Sequence, residues 1–267
     1  MQITMWREIL DPYYLAVDEI LVKFNHIIES YRKSGSYSPI EEVTGRVKSI
    51  SSILEKTQRK KIPIDDIESK LDDIAGIRII CQFVEDIDKV VSLIKNRKDM
   101  EVKLEKDYVR HPKPSGYRSY HIVVWYTVET IGGTRRIPVE IQVRTLAMNF
   151  WATIEHSLQY KYKENMPEEI SQRLSNSANA IVTLDAQMSK LRIEIMDAQE
   201  SYRMKDNTIN DILNNLQNLY KVINMREVEK LQDEFYKIYK TEDFMMLDRF
   251  SKRLDEISES DKSQSIN

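Results

Sequence analysis

Apolar residues recur at helical spacing in several parts of the chain. Residues 5–33 carry such a pattern, which stops at the segment SGSYSP, so one helix followed by a loop is predicted. A second helix is predicted from Gly45 to Pro63, and a third over residues 86–96. Beyond Thr145 the pattern is almost wholly helical. These segments predict a helical framework around the strands.

Alternation of apolar and polar residues predicts strands between the helices. In the stretch KLDDIAGIRIICQFV, Ile77, Ile79 and Cys81 face one way and Arg78 faces the other. A pair of aspartates, of which Asp73 is the second, precedes this predicted strand. The pattern therefore predicts a strand with carboxylates at its start.

The next alternating segments predict a β-hairpin. A strand is expected over Tyr120–Val128, and Gly132–Gly133 supplies the turn because two glycines accept the positive φ angles of tight hairpins. The return strand, RRIPVEIQVRT, has an apolar face and a polar face. The apolar face consists of Ile137, Val139, Ile141 and Val143, and the polar face of Glu140, Gln142 and Arg144. The order helix, helix, strand, helix, hairpin, helices predicts an α/β fold with a small mixed or antiparallel sheet.

The composition is that of an ordinary globular protein. The chain has 267 residues, 41% of them hydrophobic, which is enough for a sizeable core. Its formal net charge is −3, so any site for an anionic ligand must be a local feature. The single cysteine, Cys81, lies in an apolar run and suits a reducing compartment. No apolar stretch approaches the roughly 20 residues of a membrane span. We therefore expect a cytoplasmic protein without membrane contact.

One face of the second predicted helix is cationic. Lys48, Ser52, Lys56 and Arg59 fall within about 80° of arc at roughly 100° per residue. Ile50, Ile53 and Leu54 lie on the opposite side and are expected to face the core. Such a basic face either binds anions or is simply solvated, and spacing alone leaves both interpretations open.

Two predicted strand faces also carry charge, which is costly to bury without water, a partner or a ligand. Arg78 with the nearby Asp73 forms one, and Glu140, Gln142 and Arg144 form the other. If both strands belong to one sheet, carboxylates and cations converge as they do in a magnesium-nucleotide site. Structural ion pairs would give the same pattern, and His121 and His156 could equally be core histidines. The histidine spacing does not favour zinc, and a glycine-rich phosphate loop is lacking.

Five motifs together suggest a family. In chain order they are GRVKSISSILEK, DIAGIRI, PKPSGYRSYH, VEIQVRT and NFWATIEHSLQYK. They resemble the synthetase domain of the RelA/SpoT family, most closely the small alarmone synthetases, over about residues 10–200. The resemblance implies a nucleotidyltransferase-like α/β fold, in which helices flank a mixed sheet of about five strands, with a helical C-terminal extension. It implies a GTP pyrophosphokinase of the stringent response, which transfers the β,γ-pyrophosphate of ATP to the 3′-hydroxyl of GDP or GTP and releases AMP.

The resemblance also implies roles for individual residues. The ATP-binding set is Arg46, Lys48, Ser52, Lys56, Arg59 and Arg78. The set expected around GDP or GTP is Lys113, Tyr117, His121, Gln142, Arg144 and Asn149. Asp73 and Glu140 are the expected catalytic residues and Mg²⁺ ligands, and Glu140 is also expected to take the proton from the 3′-hydroxyl. Tyr117 is expected to stack on guanine, carried there by the Pro-rich and Gly-containing loop.

Three positions or segments depart from the family pattern. The motif associated with the choice between GDP and GTP corresponds here to Leu104, Glu105, Lys106 and Asp107, so acceptor preference stays open. Asn25 and Glu42 replace a cation and an aromatic residue that bind activating product in some small synthetases, and a negative charge repels a polyanion. We therefore expect weak or absent activation by pppGpp. We also expect synthesis without hydrolysis, because the hydrolase motifs are not seen.

The chain is expected to divide into a synthetase domain over 1–204, a helical appendage over 205–257 and a disordered tail over 258–267. The resemblance implies a homotetramer that binds ATP and GDP or GTP. One alternative is a non-catalytic regulator that binds nucleotides or single-stranded RNA in the same basic cleft. Another is a scaffold that acts through its helical tail. The carboxylates at 73 and 140 favour the enzyme, because a polyanion binder gains nothing from them.

Overall fold

The computed structural model describes residues 2–162, 167–220, 224–241 and 243–264. The helices are α1 (Gln2–Lys33), α2 (Ile50–Lys60), α3 (Ile67–Lys70), α4 (Val84–Lys95), α5 (Leu146–Tyr162), α6 (Glu168–Leu219), α7 (Met225–Thr241) and α8 (Phe244–Gln264). The strands are β1 (Glu42–Val47), β2 (Ala75–Cys81), β3 (Met100–Asp107), β4 (Tyr120–Thr130) and β5 (Gly133–Thr145). Within the described ranges, no helix is long and apolar enough to cross a membrane.

The strands form one mixed sheet in the order β1-β2-β5-β4-β3. The central pair, β2 and β5, is parallel, and the other neighbours are antiparallel. This confirms the predicted α/β class with a mixed five-stranded sheet flanked by helices and a helical C-terminal part. In the parallel pair, Gly76 lies opposite Glu140 and Arg78 lies opposite Gln142. The two charged strand faces predicted from the sequence are therefore adjacent.

One side of the sheet is the core. Helices α1 and α4 pack on the sheet, and the apolar sides of β2 and β5 are almost fully buried. The buried set includes the predicted Ile77, Ile79, Cys81, Ile137, Val139, Ile141 and Val143. Period-two alternation thus predicted both strand faces correctly. The prediction is sensitive to register, since a shift of one residue would move every side chain to the other face.

Two edge strands were not assigned from the pattern. The segment GRV, expected to begin a helix at Gly45, instead ends β1, and α2 begins only at Ile50 after the N-cap Ser49. The strand β3 was treated as loop, since MEVKLEKD alternates weakly and leaves Leu104 exposed. Edge strands bury little of one face, so their sequences carry a weak alternation signal. On α2, Ile53 is buried as expected, whereas Ile50 is exposed.

The chain divides into two compact units, residues 1–190 and 191–267. Helix α6 continues without a break through residue 204, where the sequence analysis placed its boundary. The second unit has its own apolar core, formed by α6, α7 and α8 and consisting of Ile212, Leu216, Leu219, Val228, Phe235, Leu247, Phe250 and Leu254. Helix α8 extends to Gln264, into the segment for which disorder was expected, and 265–267 lie outside the described residues.

Gly45 lies where α1 packs tightly against the sheet. A Cβ atom there would lie 2.7 Å from Val17 Cγ1 and 2.9 Å from Ile77 Cδ1. Two buried side chains would have to move to admit a methyl group.

We therefore expect Gly45→Ala to lower the free energy of unfolding by about 1–3 kcal/mol through overpacking. Gly132→Ala is the matched control, because its nearest neighbour would lie 3.7 Å away. Urea denaturation monitored by fluorescence measures both. Equal stability of the two variants would contradict a tight contact between α1 and β1.

Candidate active site

The sheet face opposite the core carries the predicted functional residues. Across neighbouring strands, Arg78 pairs with Gln142, Gln142 with His121, and His121 with Lys106. Glu140 lies two residues before Gln142 on β5, so its side chain points to the same face. The sheet register therefore aligns residues from four strands along one surface.

Asp73 lies just before β2 and contacts two cations of the α2 region, Lys48 and Lys56. Lys48 Nζ donates to Asp73 Oδ2 at 2.6 Å, and Lys56 Nζ donates to the same oxygen. The backbone bond from Lys48 N to Ile74 O, 2.8 Å long, holds Lys48 beside this carboxylate. Burial favours the neutral acid, but the hydrogen bonds and charges of the two lysines outweigh it and lower the pKa of Asp73. The carboxylate is therefore ionised at neutral pH.

Glu140 accepts hydrogen bonds on both oxygens. His121 Nδ1 lies 3.2 Å from Oε1, and Gln142 Nε2 donates to Oε2 at 2.8 Å. Burial raises the pKa of Glu140, as the nearby Asp73 also does, yet the His121 and Gln142 contacts prevail and lower it. Glu140 and Asp73 line the same cleft, and both are anionic because each has its own set of donors.

Tyr117 and His121 form a directed hydrogen-bond chain to Glu140. An ionised carboxylate only accepts, so Nδ1 of a neutral His121 must carry the proton and Nε2 must accept. The Tyr117 hydroxyl, 2.8 Å from Nε2, is then the donor. Arg144 Nη2 donates to the Tyr117 oxygen at 3.4 Å. The predicted acceptor-side residues are thus linked to one predicted catalytic carboxylate.

The loop between β3 and β4 carries Tyr117 and Lys113. Lys113 N donates to Tyr117 O at 3.2 Å, and Gly116 N donates to Lys113 O at 2.8 Å. Gly116 has a φ of +90°, which glycine adopts without strain. Lys113 Nζ lies 4.7 Å from the Tyr117 ring centre and 4.9 Å from that of Tyr108. This tight turn explains why a Pro- and Gly-containing loop precedes a core strand.

Several buried polar atoms of this face have no hydrogen-bond partner among the described residues. They are Asp73 Oδ1, Arg78 Nε, Arg144 Nε and Asn149 Oδ1. Burial lowers the pKa of both guanidinium groups, and for Arg78 the nearby Arg46 adds to this effect. Native proteins rarely leave such groups unsatisfied. A polar ligand on this face would supply the missing partners.

The remaining predicted residues surround this surface less closely. Arg46 is exposed on β1, opposite Gly76. It lies close enough to Arg78 for its charge to lower the pKa of that residue. The Ser52 hydroxyl accepts from Ser49 at 2.9 Å in the first turn of α2. Arg59 is exposed in the last turn of α2, and the cleft lining includes its neighbour Lys60 instead. Asn25 and Glu42 are both exposed, on α1 and β1.

Some residues of the cleft were missed in the sequence analysis. Lys60 and Lys70 line it, and the Tyr108 ring meets His121 edge-on with 5.2 Å between ring centres. Lys60 lies on α2 but outside the arc of Lys48, Ser52, Lys56 and Arg59, and Lys70 lies on α3. Tyr108 directly follows β3, a strand that the pattern did not reveal, and recognition of β3 would have placed Tyr108 near His121.

The segment aligned with the acceptor-choice motif has mixed roles. Glu105 pairs with Lys95 at 2.7 Å and accepts from Tyr120, and Asp107 Oδ1 accepts from the backbone of Val109 and Arg110. Both acids are therefore engaged in local structure. Of this segment, Leu104 and Lys106 line the cleft.

The donor set suits a metal that shares its coordination with a substrate. Asp73 has a buried oxygen that no described residue contacts, and Glu140 lies in the same cleft. Among the described residues, no group of three or more His, Cys, Asp or Glu could hold a metal. Mg²⁺ typically binds one or two carboxylates together with substrate phosphates, so this pair fits Mg²⁺ better than a metal held by protein ligands alone.

Known proteins are similar to this chain in sequence and in fold. The family model described as "Region found in RelA / SpoT proteins" matches residues 45–165. The chain is 50% identical over 200 residues to GTP pyrophosphokinase YjbM of Bacillus subtilis, covering 75% of this chain and 94% of that protein.

Two solved structures of small alarmone synthetase 1 from Bacillus subtilis are also similar. The one bound to its product pppGpp gives a TM-score of 0.69 at 51% identity, covering 72% of this chain and 98% of that chain. The one bound to AMPCPP gives a TM-score of 0.64 at 47% identity, with the same coverage of both chains.

The lowered pKa of Asp73 predicts a pH-dependent stability. A carboxylate with a lowered pKa stabilises the fold above its ordinary pKa, and this contribution is lost as pH falls through the lowered value. We expect Asp73→Asn to be less stable than wild type by about 1–3 kcal/mol at pH 6. The difference should shrink as pH falls below about 4. Urea denaturation from pH 6 to pH 3 measures it, with the exposed Asp65→Asn as control. A difference independent of pH would contradict the assigned ion pairs.

Proposed function

The chain belongs to the RelA/SpoT family, and from this premise we propose that it is a (p)ppGpp synthetase. It transfers the β,γ-pyrophosphate of ATP to the 3′-hydroxyl of GDP or GTP and releases AMP. The observation that carries this proposal is the pair of ionised carboxylates, Asp73 and Glu140, inside a cleft that four lysines also line. The activity is assigned to residues 1–204, with 205–257 as a helical appendage.

The α2 side of the cleft is proposed to bind ATP. Lys48, Ser52 and Lys56 lie at the start of α2 and along it, so they can bind phosphate oxygens through ammonium and hydroxyl groups. Arg46 and Arg78 lie close enough for the charge of Arg46 to lower the pKa of Arg78, and their flat guanidinium groups are proposed to stack on the two sides of the adenine ring. Arg59 completes the set if its exposed side chain turns toward the triphosphate. The relative bound to AMPCPP supports an ATP site in this fold.

The β4–β5 side of the cleft is proposed to bind GDP or GTP. Tyr117 offers a ring for stacking on guanine, and the ammonium group of Lys113 lies over that ring. Gln142, Arg144 and Asn149 are proposed to supply donors and acceptors to this nucleotide, and Arg144 and Asn149 have unsatisfied buried atoms. The relative bound to its product pppGpp supports the binding of a guanine nucleotide by this fold. Lys106 is the member of the acceptor-choice segment that can reach phosphate from the cleft; acceptor preference between GDP and GTP stays open.

Glu140 is the proposed acceptor of the proton from the 3′-hydroxyl. Its lowered pKa keeps it ionised at neutral pH, so it can accept a proton, although it is a weak base. A weak base suffices where bond breaking in the phosphate runs ahead of proton transfer, as in loose phosphoryl-transfer transition states. His121 and Gln142 hold the carboxylate in place. The surrounding lysines stabilise charge that develops on the phosphate oxygens.

Mg²⁺ is the proposed cofactor, with Asp73 and Glu140 as its protein ligands. When bound, it would neutralise charge on the ATP phosphates and orient them for in-line transfer. Lys48 and Lys56 hold one oxygen of Asp73, which leaves the other oxygen for the metal.

Assembly and location are also proposals. Leu191, Ile195 and Tyr202 expose about half or more of their surfaces on α6, at spacings of four and seven residues. Apolar residues at this spacing are commonly covered by another helix, which is consistent with the homotetramer implied by the family. The cytoplasm, where ATP and guanine nucleotides are abundant, is the proposed site of action.

The first experiment mixes purified protein with ATP and Mg²⁺, and with GDP or GTP in separate reactions. Anion-exchange chromatography then resolves the nucleotides. We expect AMP together with a guanosine tetra- or pentaphosphate, in equal amounts. Nucleotide binding without AMP formation would contradict synthesis and favour the alternative regulator that binds nucleotides or single-stranded RNA.

The same assay tests Glu140. Glu140→Gln keeps the shape of the side chain but removes its charge and its ability to accept a proton, so we expect a rate loss of about 10²- to 10⁴-fold. Glu101→Gln is the control, because Glu101 is an exposed partner of Arg136 on the edge strand β3. Circular dichroism verifies folding, and a near-normal rate would exclude Glu140 from the chemistry.

Tyr117 is tested with two substitutions. Tyr117→Ala removes the stacking surface, which contributes about 1–3 kcal/mol per base in nucleic-acid complexes, so we expect a rise of one to two orders of magnitude in KM for GDP or GTP. Tyr117→Phe keeps the ring and loses only the hydroxyl with its bonds to His121 and Arg144, so its KM should stay near that of wild type. If Tyr117→Ala raised KM for ATP alone, the two nucleotide sites would be reversed.

A further inference from the structure

The N-terminus of α5 is capped by a residue that a second helix holds in place. Met148 N donates to Thr145 Oγ1 at 3.1 Å, which makes Thr145 the N-cap of α5. The Thr145 hydroxyl donates to Asp185 Oδ2 on α6 at 2.8 Å. Thr145 is completely buried, and Asp185 is 5% exposed. The Thr145 hydroxyl must donate in this contact, because an ionised carboxylate can only accept.

Asp185 also supplies a carboxylate that α5 itself lacks. The first turn of α5 contains no acidic residue, although the positive end of a helix is stabilised by negative charge. Asp185 lies beside that end through its bond to Thr145. Asp185, which lies 40 positions after Thr145, therefore places negative charge at the N-terminus of α5. In many helices an acidic residue of the first turn has this role.

The capped end of α5 adjoins the proposed acceptor site. Arg144 immediately precedes the cap, and Asn149 follows it by four residues. Both residues have a buried atom that lacks a hydrogen-bond partner among the described residues. The directions of the Arg144 and Asn149 side chains depend on where β5 ends and α5 begins. The cap at Thr145 sets the position of this junction.

Helix α6 supports the acceptor loop as well. A Cβ at Gly116 would lie 2.5 Å from Ala178 Cβ, so the loop passes directly against α6. Trp151 Nε1 of α5 lies 3.1 Å from Leu174 O of α6. Residues 174–185 thus contact both the loop that carries Tyr117 and the helix that carries Asn149.

We propose that Asp185 is a positioning residue for the acceptor nucleotide, acting through the Thr145 cap on Arg144 and Asn149. This inference rests on the proposed function, because it takes those two residues as contacts of GDP or GTP. Asp185 touches no substrate. Its loss should loosen the acceptor side of the cleft while the ATP side, formed by α2 and Asp73, keeps its geometry.

The test compares disruptive with conservative substitutions at both ends of the bond. Asp185→Ala and Thr145→Val each remove it, and each should raise KM for GDP about tenfold while KM for ATP stays unchanged. Thr145→Ser keeps the hydroxyl and should stay near wild type. Asp185→Asn still accepts from the hydroxyl through its amide oxygen but loses the charge at the helix end, so its rise in KM for GDP should be smaller than that of Asp185→Ala. The double variant Asp185→Ala/Thr145→Val should bind GDP no more weakly than Thr145→Val alone, because Thr145→Val already removes the bond to Asp185 together with the cap bond from Met148 N.

Direct binding separates this inference from the proposed function. Isothermal titration of GDP and of a non-hydrolysable ATP analogue measures each affinity whether or not product forms. The inference requires a selective loss of GDP affinity in the folded Asp185→Ala or Thr145→Val protein. Equal losses for both nucleotides, or none, would overturn it. Asp197→Ala changes an exposed carboxylate further along α6 and serves as the control. Absence of product from wild type would reject the proposed function instead.

Discussion

The parallel ladder between β2 and β5 is the constraint on which the site depends. It aligns Gly76 with Glu140 and Arg78 with Gln142, so the charged residues of two distant segments share one face. The same ladder turns isoleucines and valines of both strands to the opposite face, where burial stabilises the sheet. Because side chains alternate, the apolar core and the polar cleft specify each other. A slip by one residue would bury the charges and expose the core.

Two carboxylates remain ionised in this cleft because their donors are separate. Asp73 is held by lysines of the α2 region, whereas Glu140 is held by His121 and Gln142 of the sheet. Without these donors, burial and mutual repulsion would protonate one of them. The chain from Tyr117 through His121 to Glu140 also links the loop that carries the proposed stacking residue to the proposed base. Substrate placement and the protonation state of Glu140 are therefore parts of one hydrogen-bond network.

Strong periodic signals made much of the fold and site predictable. The faces of β2 and β5 followed from alternation, and the motifs located the carboxylates and the acceptor loop. The strands β1 and β3 were missed because edge strands alternate weakly. Tyr108, which directly follows β3, was missed for the same reason. The bond between Thr145 and Asp185 was also invisible, since the sequence does not tell which residue of a long helix meets a given cap. Contacts between segments distant in sequence arise from packing, which local patterns do not encode.

The contact between Gly116 and Ala178 has a consequence for how such sequences can vary. A side chain at position 116 would meet both an unfavourable φ and the methyl group of Ala178. A residue larger than alanine at position 178 would in turn press on the loop that carries Tyr117. Neither position can therefore grow, because glycine has no side chain to give up and a smaller residue at position 178 would not relieve the φ angle at 116. In descendants of this chain, both positions should stay small, although 62 residues separate them.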